Sequence, residues 1–134
     1  GPGLAGIPVT HRGHSSVVTI ATGHEVAGND SIPWEHIARI GGTIVVLMCT
    51  DRIGIIARRL RRGGLDGSTP VAVISRASLS GQEVRTATLA TVAEVLHREP
   101  VRTPALLIAG KVADFALRKR RPRRSSAVAR GRLR

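Results

Sequence analysis

Aromatic side chains are almost absent from this sequence: Trp34 and Phe115 are the only two, and there is no tyrosine. That excludes a nucleic-acid surface built on aromatic stacking platforms. It also means that any core must be assembled from Ile, Val, Leu and Ala. Cysteine is equally scarce. A single Cys49 rules out a disulfide framework and a thiolate metal cluster. The longest apolar runs, such as TIVVLMCT, fall far short of the roughly 20 residues a membrane helix needs. The N-terminus carries no basic segment followed by an apolar one, so no signal peptide is expected and a cytoplasmic location is. There is no GxGxxG after a strand, no phosphate-binding P-loop and no GxSxG nucleophile turn.

Positive charge, by contrast, is abundant, with a formal net charge of +12 over 134 residues. Its distribution decides what it implies. Nine Lys and Arg residues and no acid fall between Leu117 and Arg134, while the first 116 residues carry twelve basic and nine acidic groups. The basicity therefore belongs to a tail. We expect a folded domain over 1–116 and a disordered, solvated extension over 117–134. Such a tail attracts any polyanion weakly and in a salt-dependent way, but without aromatics beside it nucleic acid is not the expected partner.

Hydrophobic residues make up 42% of the chain, and their pattern predicts alternating strands and helices. The opening GPGLAGIPVTHRGHSS is rich in Gly, Pro and Ser and reads as loop. Strands are expected at 17–22, 43–48, 70–75, 83–88 and 104–109, the central ones continuously apolar, as strands buried on both faces are. Ser31 and Pro33 open a short helix to Ile40. Residues 52–62 place Ile53, Ile56 and Leu60 at helical spacing, with Asp51 expected as N-cap and Gly63-Gly64 as the stop. A third helix, 89–97, would face inward with Leu89, Val92, Ala93 and Leu96. The order predicts an α/β fold with a single mixed β-sheet packed by helices.

Candidates for chemistry are few. His11 and His14 lie in a loop, and neither they nor His24 have carboxylate or thiolate companions, so no metal site is expected. His36 and His97 sit on helices and should be exposed. No closely spaced acid pair suits acid–base work. On the residues alone, the domain has no self-sufficient catalytic set.

Several segments, taken in order, carry a resemblance. These are AGIPVTHRG (5–13), TIATGH (19–24), GGTIVVLM (41–48), STPVAVISRAS (68–78), QEVRTATLATVAE (82–94) and PALLIAGKV (104–112). Together they resemble the C-terminal lobe of uroporphyrinogen-III C-methyltransferases, within the tetrapyrrole methylase family. Cys49-Thr50 and Ser75-Arg76-Ala77 depart from it, since the family has a small residue then an apolar one, and Glu-Asn-Gly, at those places. The family's GxGPGD loop and GGDP segment are absent.

The resemblance implies a C-terminal lobe whose N-terminal partner lobe holds the proton-transfer residues, so no catalytic residue is expected here. It implies S-adenosylmethionine (SAM) as methyl donor and uroporphyrinogen III as substrate, towards siroheme or cobalamin, in an enzyme that is a homodimer when complete. By matching position, Met48, Ala77 and Gly110 would bind the cofactor. Thr10, His11 and Arg12 would face the tetrapyrrole, Arg12 offering a planar guanidinium to its carboxylates, with Arg76 a second candidate for that task. On this reading the fragment alone is inactive. The alternatives are a non-catalytic truncated module that dimerises or binds a partner, its basic tail contacting nucleic acid or an acidic surface, and a family relative with another substrate.

Overall fold

A computed structural model describes residues 6–13, 15–23 and 31–116. The expected disordered tail, together with His14, His24, Glu25 and Asp30, lies outside the described residues. Among the described residues, five strands form one mixed sheet in the order β1-β2-β5-β3-β4: β1 (Val18–Thr22), β2 (Thr43–Leu47), β3 (Pro70–Ser75), β4 (Glu83–Thr88) and β5 (Ala105–Ala109). Only β1 and β2 pair in parallel; the other three pairings are antiparallel. A parallel pair needs a crossover, and α1 (Trp34–Ile40) lies within it. The helices α2 (Ile53–Arg62) and α3 (Val92–Arg98) complete the layer, and a 3-10 turn spans Lys111–Ala113.

Alternation along the strands divides the core in two. Ile44, Val46, Val71, Val73, Leu107 and Ala109 face the helices, where Trp34, Ile53, Ile56, Leu60 and Val92 bury against them. Val45, Ala72, Ile74 and Ile108 face the other way, under Ile7, Val112, Ala113 and Ala116. The second cover is partial. Ile20 shares a register position with Val45, yet it is 67% exposed, and Leu47 is 40% exposed.

A charge pair clasps α1 to α2. Arg59 donates from Nε and a terminal nitrogen to both Glu35 oxygens, at 2.9 and 2.7 Å. The fork holds the Glu35 carboxyl down at about 2, against an ordinary 4.5. Beneath it, Gly63 is buried against the backbone of Glu35 and the Ala38 methyl, where a Cβ would not fit.

Three expectations need correction. Asp51 does not cap α2: the N-cap is Arg52, without a side-chain bond, and its amide donates to the Cys49 carbonyl at 2.9 Å. The third helix begins at Val92, not Leu89, because a turn intervenes: the Thr91 amide donates to Thr88 O, and the Thr88 amide to Thr91 Oγ1. Ala93 is exposed as a result. Finally, β2 stops at Leu47; Met48 has φ 50°, which no extended strand accommodates.

Candidate functional site

The pairings bring three chain exits to one edge of the sheet. β1 is parallel to β2, and β5 runs antiparallel to both β2 and β3, so all three of those strands finish together. Ligands of open α/β sheets bind beyond such carboxyl ends. The loop entering β5, with a cis Thr103–Pro104 peptide, reaches the same edge. Two bonds fasten it there: the Arg76 amide donates to Pro104 O at 2.7 Å, and Ser75 Oγ donates to Arg102 O.

Gly23 explains the Thr-Gly at the exit of β1. Its amide donates to Leu47 O at 2.7 Å, and a Cβ there would come within 2.6 Å of Cys49 Cβ. Cys49 is thus a packing residue. Burial pushes its thiol up to about 11, so it is no thiolate nucleophile at neutral pH.

Backbone strain gathers at this edge. Among the described residues, the non-glycine positions with positive φ are Met48 (50°), Arg76 (50°) and Ser78 (68°). Each follows β2 or β3. A left-handed conformation costs an L-residue roughly 1–2 kcal/mol, and such strain persists mainly at ligand clamps and active sites. Met48 is turned outward by it and stands 60% exposed.

Two hollows flank Met48 and share it with Pro104 and Ala105. One, of about 330 Å³, is completed by Leu47, Ile74, Ala77 and Leu106, so that apolar residues line it throughout. The other, of about 430 Å³, is completed by Thr50, Asp51 and Thr103. Apolar floors with a few convergent polar groups are the usual make-up of a small-molecule site.

Of the residues expected to hold a ligand, the structure brings Met48 and Ala77 together. Gly110 is elsewhere. It follows β5 at the opposite end of the sheet, where its amide donates to Pro70 O at 3.0 Å. Thr10, His11 and Arg12 are exposed in a hairpin docked at that same far end: Thr43 Oγ1 donates to Ser15 Oγ at 2.8 Å, and the His11 and Ser15 backbones bridge. They line a separate, shallow hollow of about 410 Å³ with Ser15 and Ser16. The His11 ring packs against Phe115, centroids 5.0 Å apart. His36 and His97 are exposed on α1 and α3. Among the described residues no three His, Cys, Asp or Glu side chains gather as metal ligands.

Sequence reasoning missed Thr50, Asp51, Thr103 and Pro104 as cleft residues. The one available signal was the departure at Cys49-Thr50; nothing in the apolar periodicity marks the loop before β5.

Comparison with known proteins gives the family. The family of tetrapyrrole (corrin/porphyrin) methylases matches residues 2–93. An S-adenosyl-L-methionine-dependent uroporphyrinogen III methyltransferase of Methanosarcina barkeri is 42% identical over 116 residues, covering 85% of this chain and 46% of that protein. Siroheme synthase 1 of Yersinia enterocolitica is 42% identical over 111 residues, 83% of this chain and 23% of the relative. The chain thus spans about half the length of the first relative and a quarter or less of the second. Among solved structures, uroporphyrin-III C-methyl transferase of Thermus thermophilus, complexed with S-adenosyl homocysteine, superposes with a TM-score of 0.69 at 37% identity, over 81% of this chain and 48% of that one. A cobalt precorrin-4 methyltransferase shares the fold at 16% identity, TM-score 0.75, over 84% and 48% of the two chains.

Proposed function

Since the chain belongs to the tetrapyrrole methylase family, we propose that it supplies one wall of the cleft in which a SAM-dependent C-methyltransferase acts on uroporphyrinogen III. The observation that carries this reading is the pair of left-handed residues, Met48 and Arg76, closing β2 and β3 around Ala77 beside an apolar hollow. The residues fit the cofactor. Met48 offers an exposed, polarisable thioether to pack on it, and the small Ala77 lets backbone approach an adenosine closely. Bound there, the cofactor supplies an electrophilic methyl group.

This wall's task is alignment. Pro104, Ala105 and Leu106 give a rigid apolar floor tied to β3 through Arg76 and Ser75. Holding donor and acceptor in line replaces a nucleophilic side chain, in keeping with the protonated Cys49. We assign Thr10, His11 and Arg12 to the tetrapyrrole, as a separate exposed element at the far end of the lobe, with the Arg12 guanidinium suited to its carboxylates. Gly110, at that same end, is not part of the proposed cofactor wall.

Calorimetric titration of a two-lobe protein carrying this chain tests the reading. Met48→Ala should weaken SAM binding by about 1–2 kcal/mol, the value of lost apolar contact. Ala77→Leu should block binding with the fold intact by circular dichroism, and Ala77→Gly should be tolerated. Unchanged affinity in both Met48→Ala and Ala77→Leu would refute the assignment. The 134-residue chain alone should transfer no methyl group to uroporphyrinogen III; turnover by it would contradict the one-wall account.

A further inference from the structure

The helices do not carry charge in the same way. On α3 both signs are present, and Glu94 meets Arg98 one turn on at 2.6 Å, the usual make-up of a solvated helix face. On α2 Arg58, Arg59, Arg61 and Arg62 stand together with no acid among them. Between Trp34 and Asp66 the chain holds six arginines against three acids, whereas the other residues up to Ala116 balance at six basic against six acidic. The whole positive surplus of the folded domain therefore lies in the α1–α2 layer.

Part of that charge has a use within the fold. Cations in the last turn suit the helix dipole, Arg59 is held in the clasp on Glu35, and Arg61 folds back over Gly67. Arg58 and Arg62 are different. They are exposed at i, i+4 spacing, where like charges repel each other on a helix. Glu35 feels Arg62 as well as Arg59, and the exposed Arg39 lies one turn beyond Glu35 on α1. Arg39 and Arg62 thus flank a carboxylate that Arg59 already engages on both oxygens.

Ile55 adds an apolar member to this face. Residues 55, 58, 59 and 62 share one side of α2, and Ile55 is 45% exposed there, while Ile40, next to Arg39, is 60% exposed. Arginine is enriched in protein interfaces, whose centres are apolar. A nucleic-acid backbone would meet the arginines but has nothing for the isoleucines, and the chain's two aromatics, Trp34 and Phe115, are buried and half-buried, so bases find no stacking platform. Arg58 and Arg62 rise about 6 Å apart along the helix, the spacing of carboxylates one turn apart on another helix. We propose that α2, with the last turn of α1, is a docking surface for an acidic amphipathic helix of a partner protein. Its carboxylates meet Arg39, Arg58 and Arg62, and its apolar row meets Ile55. The arginines lie towards the end of α2 that leads to the start of β3, away from the strand exits beside Met48. A docked partner leaves that cleft open, and the surface stands independently of the cofactor reading.

Backbone amide shifts of the full 134-residue chain, titrated with a synthetic helical peptide carrying glutamates at i, i+4 beside a row of leucines, test this surface. The peptide should shift the amides of α2, Arg39 and Ile40, and Arg58→Gln combined with Arg62→Gln should weaken it by about tenfold or more. Arg102→Gln combined with Lys111→Gln removes the same charge from exposed positions elsewhere on the domain and should cost less than about twofold. Ile55→Gln should weaken the peptide and leave the binding of a duplex RNA unchanged, and the amide spectrum itself reports that each variant is folded. Equal losses in the two double variants would reduce the attraction to net charge and overturn the surface, as would shifts confined to the tail beyond Ala116. Tighter binding of the duplex RNA at α2, insensitive to Ile55→Gln, would make the partner a nucleic acid and overturn the assignment.

Discussion

At the end of the sheet where β2 begins, the left-handed backbone positions are glycines: Gly41 (φ 73°), Gly42 (φ 74°) and Gly110 (φ 135°). At the end where β2 finishes they are Met48, Arg76 and Ser78, with Gly81 (φ 81°) farther along the same β3–β4 loop. At two of its glycines the first end is tightly packed. A Cβ on Gly42 would strike the Val17 carbonyl, and one on Gly110 would come within 3.0 Å of Gly42 O. The second end is open, with hollows on both flanks of Met48. Glycine satisfies a positive φ without steric penalty, so one end is built for stability. The other keeps side chains where the backbone would favour glycine, which is reasonable only if those side chains meet something.

The largest expected effect lies at the closed end. Gly42→Ala combines a positive φ with a clash against backbone, and should destabilise the chain by roughly 3 kcal/mol, read as a shift in the denaturant midpoint. A change below about 1 kcal/mol would break the contrast, because it would mean this end is as yielding as the other.

Acid should act on the helix layer next. The Glu35 carboxyl is lowered to about 2 from 4.5 by the Arg59 fork. A depressed carboxyl contributes stability that is present above about 4.5 and lost as the pH falls towards 2. Unfolding midpoints should therefore decline across that window in the unsubstituted chain and decline less in Glu35→Gln. Equal slopes in the two would remove the clasp from the account. The pair is partly solvated, with about a quarter of each side chain exposed, so its effect should be smaller than that of Gly42→Ala.

The contrast between the ends also marks how far the sequence can be read. All five strands were legible to within a residue: central runs such as TIVVL and PVAVIS are continuously apolar and almost wholly buried, while the half-buried EVRTAT was legible from its polar alternation. Met48 and Ala77 came from matching positions in the family, and the structure does bring them together. The left-handed turns were not legible: Met, Arg and Ser carry no preference for positive φ, so no pattern announces them. Asp51 was misread for a related reason. An acid just before an amphipathic run usually caps it, and only the Cys49–Arg52 turn shows that this one does not. Thr103 lies 53 residues from Thr50, and only the pairing of β5 between β2 and β3 unites them.

The smallest and most discriminating effect is expected at Met48, where Met48→Gly relieves the left-handed strain while removing the exposed side chain. Unfolding midpoint and S-adenosylhomocysteine affinity, measured on the same preparation of a two-lobe protein carrying the variant, test the central claim directly. The account predicts stability unchanged or raised by up to about 1 kcal/mol, together with weaker binding. A destabilised variant that binds as tightly as the unsubstituted chain would show that Met48 serves the fold and not the ligand, and would contradict it.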